Sequence, residues 1–308
     1  MKRIHLDTDL GSDTDDLCAL AMLLGLPDVE LTGVSTVSDP GGRRAGWTAF
    51  GLQLAGRADV PVTAGASGSL AGFRIPLAFP DHHWPEPVPP RPSPPELALS
   101  TIVAAAERGD TIVAIGPYTN LALVEALRPG LLASTELVVM GGHVPPMAEG
   151  YPPWDASIDT NVQQDAFASA VVMERCRPTV VPLSTCARVT LRRSQLDELR
   201  TGGPLAQLLA DQAEAHARDH GMIDLGRRFP ELPDDLLNFQ YDPLAVAVAA
   251  GWAGVRIEEL LVTRSLRDDL LILSIQDGGQ PLRVVTDVEA AAFDAIWLEA
   301  VLRASSER

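Results

Sequence analysis

The chain has 308 residues and a net charge of −17, and 46% of its residues are hydrophobic. Its only lysine is Lys2, which argues against a basic surface that follows a phosphate backbone, so no nucleic-acid partner is expected. No apolar run approaches the roughly 20 residues that cross a bilayer, so no membrane partner is expected either. Because Met1 to Leu6 lead into an acidic stretch without a secretory hydrophobic region, we expect a cytoplasmic protein.

A dense acidic stretch follows the first predicted strand, Ile4 to Leu6. Five aspartates lie between residues 7 and 16, directly before an apolar helix predicted over residues 15 to 25. Helix capping accounts for one or two of these acids, at about 0.3–1 kcal/mol each, but not for Asp7 and Asp9, which alternate at the end of the strand. Because clustered carboxylates repel one another, the stretch predicts a divalent metal site.

The alternation of strand and helix continues along the chain. Further strands are predicted at 31–37, 60–63, 111–115, 136–140, 179–183, 259–262, 271–273 and 283–286, and helices at 43–56, 95–108, after 120, at 192–218, 244–250 and 288–302, with a loop at 226–240. This order indicates an α/β fold with a mainly parallel, open, Rossmann-like sheet flanked by helices, in one domain over 1–308. Since ligands bind at the carboxyl ends of parallel strands, the loops after residues 6, 37, 115 and 140 should converge.

A proline-rich segment, residues 65 to 98, interrupts this alternation. It carries the polar and aromatic run Asp81-His82-His83-Trp84. A solvated linker and a lid over a substrate are both compatible with the segment, because long loops in compact domains are often functional. The three cysteines have no CxxC spacing, so we expect buried, unpaired thiols rather than a disulfide or a zinc site.

Four short motifs occur in order, each at a predicted strand end or helix start. They are DxDxG at 7–11, GPYTN at 116–120, DTNVQQDA at 159–166 and YDP at 241–243. Together they span nearly the whole chain, which on these motifs resembles the inosine–uridine nucleoside hydrolase family. The resemblance implies hydrolysis of the N-glycosidic bond of ribonucleosides, with release of nucleobase and ribose for salvage. It also implies a homodimer or homotetramer.

The opening motif departs from the form DxDxGxDD that is frequent in that family. Here Ser12, Asp13 and Thr14 separate Gly11 from the terminal acid pair. Counting from the left would select Asp13, whereas counting back from the helix selects the pair at 15–16. We favour the second register, because it keeps two adjacent acids on the rigid start of the helix and leaves Asp13 in the inserted turn.

The resemblance implies a Ca²⁺ cofactor held by hard oxygen ligands. These ligands would be Asp9, Asp16, the backbone carbonyl of Thr119 and Asp242, with the ribose hydroxyls completing the shell. Calcium prefers several oxygens from scattered loops, which agrees with this set. Asp9 would also take a proton from the attacking water, and Asp7 would support the ligands from outside the metal shell.

The resemblance also implies contacts to the sugar. Asp15 would hold the 2′-hydroxyl, Asn161 the 3′ side and Asp159, where the family usually has glutamate, the 5′-hydroxyl. Asp159 and Asp165 could instead cap the helices that follow them. A further sugar contact is expected at Asp39, which stands where the family usually has asparagine, so that a carboxylate that only accepts hydrogen bonds replaces an amide.

The second departure from the family pattern concerns the residue that protonates the leaving base. Tyr241 stands where many members of the family have the histidine that protonates it. A tyrosine with a pKa of about 10 is a weak acid near neutral pH, although its ring can stack on a base. His83 or His82 of the proline-rich segment could therefore protonate or contact the base, or a purine could leave through its own basicity.

Two other functions agree with parts of the pattern. A DxD motif after the first strand also begins haloacid-dehalogenase-type magnesium phosphatases, but that reading leaves GPYTN and YDP without a role. The residues at 39 and 241 are compatible with a nucleoside- or calcium-binding homologue whose catalysis is altered or lost.

Overall fold

The computed structural model describes residues 1–72 and 75–304. Its strands, in chain order, are β1 (Lys2–Thr8), β2 (Val29–Thr36), β3 (Val62–Ala64), β4 (Thr111–Ala114), β5 (Leu137–Met140), β6 (Thr179–Val181), β7 (Thr190–Arg192), β8 (Leu236–Phe239), β9 (Val255–Arg267), β10 (Leu270–Ile275) and β11 (Gln280–Val288). Its helices are α1 (Asp15–Gly25), α2 (Arg43–Leu54), α3 (Pro95–Glu107), α4 (Thr119–Leu127), α5 (Thr160–Gln163), α6 (Ala166–Arg175), α7 (Leu183–Cys186), α8 (Leu196–Thr201), α9 (Pro204–His220), α10 (Met222–Arg228), α11 (Tyr241–Ala250) and α12 (Ala290–Ala304).

A nine-stranded sheet carries the fold, in the order β10-β9-β11-β6-β5-β4-β1-β2-β3. Neighbours from β11 to β3 are parallel, whereas β9 runs antiparallel to both β11 and β10. The strand order reverses between β1 and β4, and the crevice beyond the carboxyl ends at such a reversal is where open α/β sheets bind ligands. The mainly parallel α/β architecture expected from the sequence is confirmed.

Helix α1 is enclosed by its neighbours. All of its residues are buried, and it packs against α11 and α12. A Cβ at Gly25 would lie 1.7 Å from the carbonyl oxygen of Ala300, so the close approach to α12 requires glycine. This enclosure explains why α1 is apolar on every side, and its bounds agree with the predicted helix over 15–25.

Between residues 190 and 243 the structure corrects three predicted elements. The predicted helix over 192–218 is divided into α8 and α9, because Pro204 begins a new helix after Gly202 and Gly203. The predicted loop at 226–240 contains the end of α10 and all of β8, which pairs antiparallel with β7. Helix α11 begins at Tyr241 rather than at Leu244, so Asp242 lies in its first turn.

The proline-rich segment is anchored on helix α2. Its Trp84 is 6% exposed and stacks on Trp47 of α2, with ring centroids 5.3 Å apart. A Cβ at Gly46 of α2 would lie 2.3 Å from the carbonyl oxygen of Pro89, so the segment lies directly on the helix backbone. Trp84 and Pro89 thus anchor the segment, while most of its described residues are exposed to solvent.

Two further expectations concern the whole chain. Cys18, Cys176 and Cys186 are buried and free, as expected. In the described ranges, no helix has the length and apolar character needed to cross a membrane.

Candidate active site

A cavity of about 470 Å³ opens at the carboxyl ends of the parallel strands. The loops after β1, β4 and β5 line it, so the predicted convergence of these three is confirmed. Residues 37–42, which follow β2, are not among the described lining residues, and Arg44 of the next helix, α2, lines the cavity instead. Its lining residues include Asp9, Ser12, Asp13, Asp15, Asp16, Arg44, Ile75, Pro76, Leu77, Ala78, Ile115, Met140, Trp154, Ile158, Asp159, Asn161, His216, His220, Met222, Asn238, Phe239, Tyr241 and Asp242.

Carboxylates crowd one end of the cavity. Asp15 and Asp16 begin α1, Asp242 lies in the first turn of α11, and one oxygen from each lies within 4.8 Å of the others. Burial first, and then repulsion by neighbouring carboxylates, raises the pKa of each of these three groups well above its usual value. The register that selects the acid pair at 15–16 therefore agrees with the structure.

Asp9 and the GPYTN loop border this cluster. Burial raises the pKa of Asp9, while the guanidinium of Arg44 opposes that rise. A Cβ at Gly116 would lie 2.8 Å from Asp9 Oδ1, so the first residue of GPYTN must be glycine for the two loops to meet. Buried carboxylates with raised pKa values, set close together with hard oxygen donors only, fit a divalent cation.

Thr119, the predicted carbonyl ligand, is buried at the first residue of α4, and its hydroxyl donates to Asp165 Oδ2 at 2.7 Å. It is not among the described residues that line the cavity. Asp165 also caps α6, because its Oδ1 accepts from Ala168 N at 3.1 Å. Asp165 thus has the capping role that the sequence left open.

A buried hydrogen-bond network fixes the strand ends below the cluster. Asp7 Oδ1 accepts from Ser35 Oγ at 2.5 Å and from Asn120 Nδ2 at 2.8 Å. The Asn120 amide also donates to the carbonyl of Thr36 and accepts from Ala66 N. Burial raises the pKa of Asp7 to about 7, with the two hydrogen bonds opposing the rise. The last residue of GPYTN therefore ties β1, β2 and the proline-rich segment together.

Arg44 is a buried cation beside the cluster that the sequence did not suggest. Its side chain is 1% exposed, with Nη2 lying 3.9 Å from Asp9 Oδ2 and Nε donating to the carbonyl of Ser38 at 2.9 Å. Its Nη1 donates to the backbone carbonyl of Asp9. Arg44 therefore fixes the acidic turn through its backbone and offsets part of the negative charge.

The predicted sugar contacts divide into two groups. Asp15, Asp159 and Asn161 line the cavity. Asp159 also caps α5 by accepting from Val162 N at 3.1 Å, and burial raises its pKa to about 6. The Asn161 amide donates to the carbonyl of Ile115 at 2.7 Å, which holds the side chain at the end of β4.

The Asp39 carboxylate contacts the start of α2 rather than the cavity. Its Oδ1 accepts from Arg44 N at 2.9 Å, and its Oδ2 accepts from Ala45 N at 3.0 Å and from Thr36 Oγ1 at 2.7 Å. The residue is 2% exposed and is not among the described residues that line the cavity. The expected sugar contact at Asp39 is corrected accordingly: its carboxylate caps the start of α2.

Aromatic and imidazole groups also line the cavity. Tyr241 stacks on Phe239 with ring centroids 5.1 Å apart, and Trp154 meets Phe239 edge to face at 5.3 Å. Burial, and then the charges of Asp13 and Asp15, raises the pKa of Tyr241 well above 10. The phenol therefore stays neutral and is an even weaker acid than its sequence position implied.

Asp13 has no role in the prediction from the sequence, which leaves it in the inserted turn. In the structure it lines the cavity beside two histidines of α9. Its Oδ1 accepts from Asn238 Nδ2 at 2.6 Å and lies 3.5 Å from His216 Nδ1. His216 in turn stacks on His220, with ring centroids 4.4 Å apart. Sequence analysis missed both histidines, although their spacing of four residues on one helix face could have indicated a shared site.

His82 and His83 are not among the described residues that line the cavity. Both bond instead to Asp219, near the end of α9. For this reason we correct the expectation that His83 protonates the leaving base and that His82 contacts it. The segment reaches the cavity through residues 75–78.

Comparisons with known proteins agree with one another. The sequence model of the family described as inosine-uridine preferring nucleoside hydrolase matches residues 4–295. The chain is 29% identical over 310 residues to the pyrimidine-specific ribonucleoside hydrolase RihA of Citrobacter koseri, an alignment that covers 94% of this chain and 95% of the relative. Among solved structures, the purine-preferring ribonucleoside hydrolase from Gardnerella vaginalis has a TM-score of 0.79 at 21% identity, with 99% of both chains covered. The inosine-uridine preferring nucleoside hydrolase from Bacillus anthracis has a TM-score of 0.71 at 19% identity, with 98% of this chain and 100% of that one covered. The two structures establish likeness of fold.

Proposed function

The chain belongs to the inosine-uridine preferring nucleoside hydrolase family and is a nucleoside N-ribohydrolase, and from this premise we propose how its own residues carry out the reaction. The substrate is a ribonucleoside, and the products are a free nucleobase and ribose. The observation that carries the proposal is the convergence of Asp15, Asp16 and Asp242 beside Asp9 at one end of the cavity. The family assignment leaves no role for the phosphatase alternative.

We propose that the cation is Ca²⁺, held by Asp9, Asp16, Asp242 and the carbonyl of Thr119. Support comes from the chemistry of these donors, which are all oxygens, and from the clustering of Asp16 and Asp242 with Asp15. A bound Ca²⁺ would supply a fixed positive charge that orients the ribose hydroxyls and makes a nearby water more acidic.

In the proposed mechanism Asp9 removes a proton from the attacking water at its carboxylate. Asp9 is placed for this task because it lines the cavity and its carboxylate borders the acidic cluster. Asp15, Asn161 and Asp159 bind the ribose, and the negative field of the cluster stabilises the positive charge that develops on the sugar as the bond to the base breaks.

We propose that the base lies against Tyr241 and Phe239 and that His216 donates a hydrogen bond to it as it leaves. The stacked rings offer a flat apolar surface for a nucleobase. His216 lines the same cavity, and its Nδ1 lies 3.5 Å from the Asp13 carboxylate. Tyr241 then positions the base and does not donate its phenolic proton.

A nucleoside panel tests the function. Purine and pyrimidine ribonucleosides are incubated with Ca²⁺-loaded protein, with chelated protein and with Asp9→Asn, and reducing sugar is measured. We expect release that chelation abolishes and that Asp9→Asn lowers by about 10²–10⁴-fold, the range for loss of a general base. The exposed Asp224→Asn is the matched control and should keep full activity. If the loaded protein cleaves no nucleoside, it is a binding homologue rather than a hydrolase.

We also propose that the enzyme is a cytoplasmic homodimer or homotetramer. The unpaired state of all three cysteines supports a reducing compartment. Leu261 and Leu266 on β9 and Ile275 on β10 are between 44% and 52% exposed, which supports contact with a second copy at this end of the sheet.

A further inference from the structure

Three side chains meet outside the cavity, where the proline-rich segment contacts α9. His82 Nε2 lies 2.7 Å and His83 Nε2 lies 2.8 Å from Asp219 Oδ2. The two imidazole rings are packed edge to face, with centroids 4.4 Å apart. The two histidines lie in a single turn, Asp81–His83, so the chain presents both rings to the same carboxylate. The proposed reaction uses none of these three groups.

We propose that His82, His83 and Asp219 form a second metal site, for a late first-row divalent cation such as Zn²⁺. One ligand atom from each residue lies within 4.8 Å of the other two. In a tetrahedral zinc shell, with bonds of about 2.0–2.2 Å, neighbouring ligand atoms are about 3.3 Å apart. Each imidazole nitrogen therefore needs to move only about half an ångström away from the Asp219 oxygen to admit the ion.

The surroundings of the three groups suit such an ion. The side chain of His83 is 6% exposed and fixed by packing, whereas those of His82 and Asp219 are 65% and 35% exposed. One side is thus open to solvent, so that a cation can enter and a water can complete the shell. The hydrogen bonds from the two histidines lower the pKa of Asp219 to about 2, so the carboxylate is ionised.

The ligand atoms of this site differ in chemical type from those of the catalytic site. Two imidazoles and one carboxylate favour zinc-like ions, whereas clustered carboxylates favour calcium. The histidines belong to the segment that lines the cavity through residues 75–78, and Asp219 lies beside His216 and His220 on α9. A bound ion would therefore join two walls of the cavity that are 136 or 137 residues apart in the chain.

The test uses the full chain in excess Ca²⁺, so that the carboxylate cluster is occupied throughout. Zn²⁺ is titrated in competition with a chromophoric chelator, and Co²⁺ is added separately to record its visible absorption. We expect one equivalent of tightly bound Zn²⁺ and the strong Co²⁺ bands of a four- or five-coordinate site. His82→Ala and Asp219→Asn should each lose both signals. Both positions are partly exposed, and circular dichroism confirms that the variants are folded.

Asp81→Asn is the matched control, since Asp81 is exposed in the same turn and pairs with Arg43 rather than with the histidines. It should keep the bound equivalent and the Co²⁺ spectrum. The proposal is overturned if the wild-type chain binds Zn²⁺ no more tightly than Asp219→Asn, or if Asp81→Asn loses binding to the same extent. Neither readout depends on hydrolysis, so the result is independent of the proposed function.

Discussion

At the scale of the residue, the buried carboxylates Asp15, Asp16 and Asp242 link stability to both pH and cation binding. Unfolded aspartates titrate near a pKa of about 3.9, whereas these three have raised values in the folded protein. Folding therefore retains protons, and the stability of the cation-free protein falls as pH rises from the unfolded pKa through the folded values.

We expect Ca²⁺ to raise the melting temperature more at pH 8 than at pH 5. At pH 8 the cluster is more highly charged, and at pH 5 protons compete with the ion for the same oxygens. At a free concentration 100 times the dissociation constant, binding contributes about 2.7 kcal/mol. Scanning calorimetry with calcium and with chelator at both pH values measures the difference. Equal shifts at the two pH values would contradict the cation site at these carboxylates.

A change of leaving group distinguishes the role of His216 from that of Tyr241. With a purine or pyrimidine nucleoside, we expect His216→Gln to lower kcat by about 10²-fold, the lower end of the range for general acid catalysis. With 4-nitrophenyl riboside, whose phenolate leaves without a proton, the same variant should retain nearly full activity.

Tyr241→Phe is the comparison for that experiment. It keeps the stacking on Phe239 and removes only the hydroxyl, so kcat should change less than 10-fold with both substrates, since a general acid supplies at least about 10²-fold. A loss confined to nucleosides in Tyr241→Phe, with His216→Gln unaffected, would assign the proton to the tyrosine instead.

At the scale of the element, the proline-rich segment depends on the contact of Trp84 with Trp47 and Phe50. Trp84 is 6% exposed and meets Phe50 edge to face at 6.0 Å. We expect Trp84→Ala to destabilise the fold by about 3–5 kcal/mol, the usual cost of truncating a buried tryptophan, and to raise KM because residues 75–78 lose their support. Urea unfolding and steady-state kinetics measure the two effects. Glu86→Ala, exposed in the same segment, is the control and should leave both unchanged.

The position of a residue in its strand or helix also determines whether its place in the site could be predicted from the sequence. Asp9, Asp15 and Asp16 could be predicted because they lie in a dense acidic stretch between a strand and a helix, whereas Asp242 was indicated only by the resemblance of its YDP motif to the family. Strand β8 could not, because its partner β7 is distant in sequence and Pro233 lies just before it. Arg44 could not either, since a buried arginine on a helix has the same local signal as a solvated one.

The same limit applies to the histidines. His82 and His83 are candidates because they are polar groups on a long loop, but that position does not indicate which wall of the cavity the loop faces. His216 and His220 lie on α9, and only the tertiary contact of that helix with the turn at Asp13 brings them to the cavity. The role of Asp39 could not be predicted, because an acid before a helix can cap it or contact a ligand, and the sequence does not distinguish the two.

At the scale of the whole molecule, the end of the sheet at β10 predicts self-association. β10 is the last strand of the sheet, and leucine and isoleucine side chains are exposed on it and on β9. We expect light scattering after size exclusion to give twice or four times the mass of the chain, and Leu266→Glu to shift it toward the monomer. Glu259→Gln, an exposed change on the same strand, should leave the mass unaltered. A monomeric wild-type chain at micromolar concentration would contradict this expectation.

The carboxylate cluster also has a consequence for synthesis on the ribosome. Asp15 and Asp16 are made near the start, and Asp242 follows only after most of the chain has been translated. A nascent chain that has not reached Asp242 lacks part of the cluster, so a cation cannot yet stabilise it, while β1 and β4 are already able to pair. The early intermediate must tolerate its adjacent acids by solvation or protonation. The proposed cation can therefore stabilise the cluster only after Asp242 has been translated.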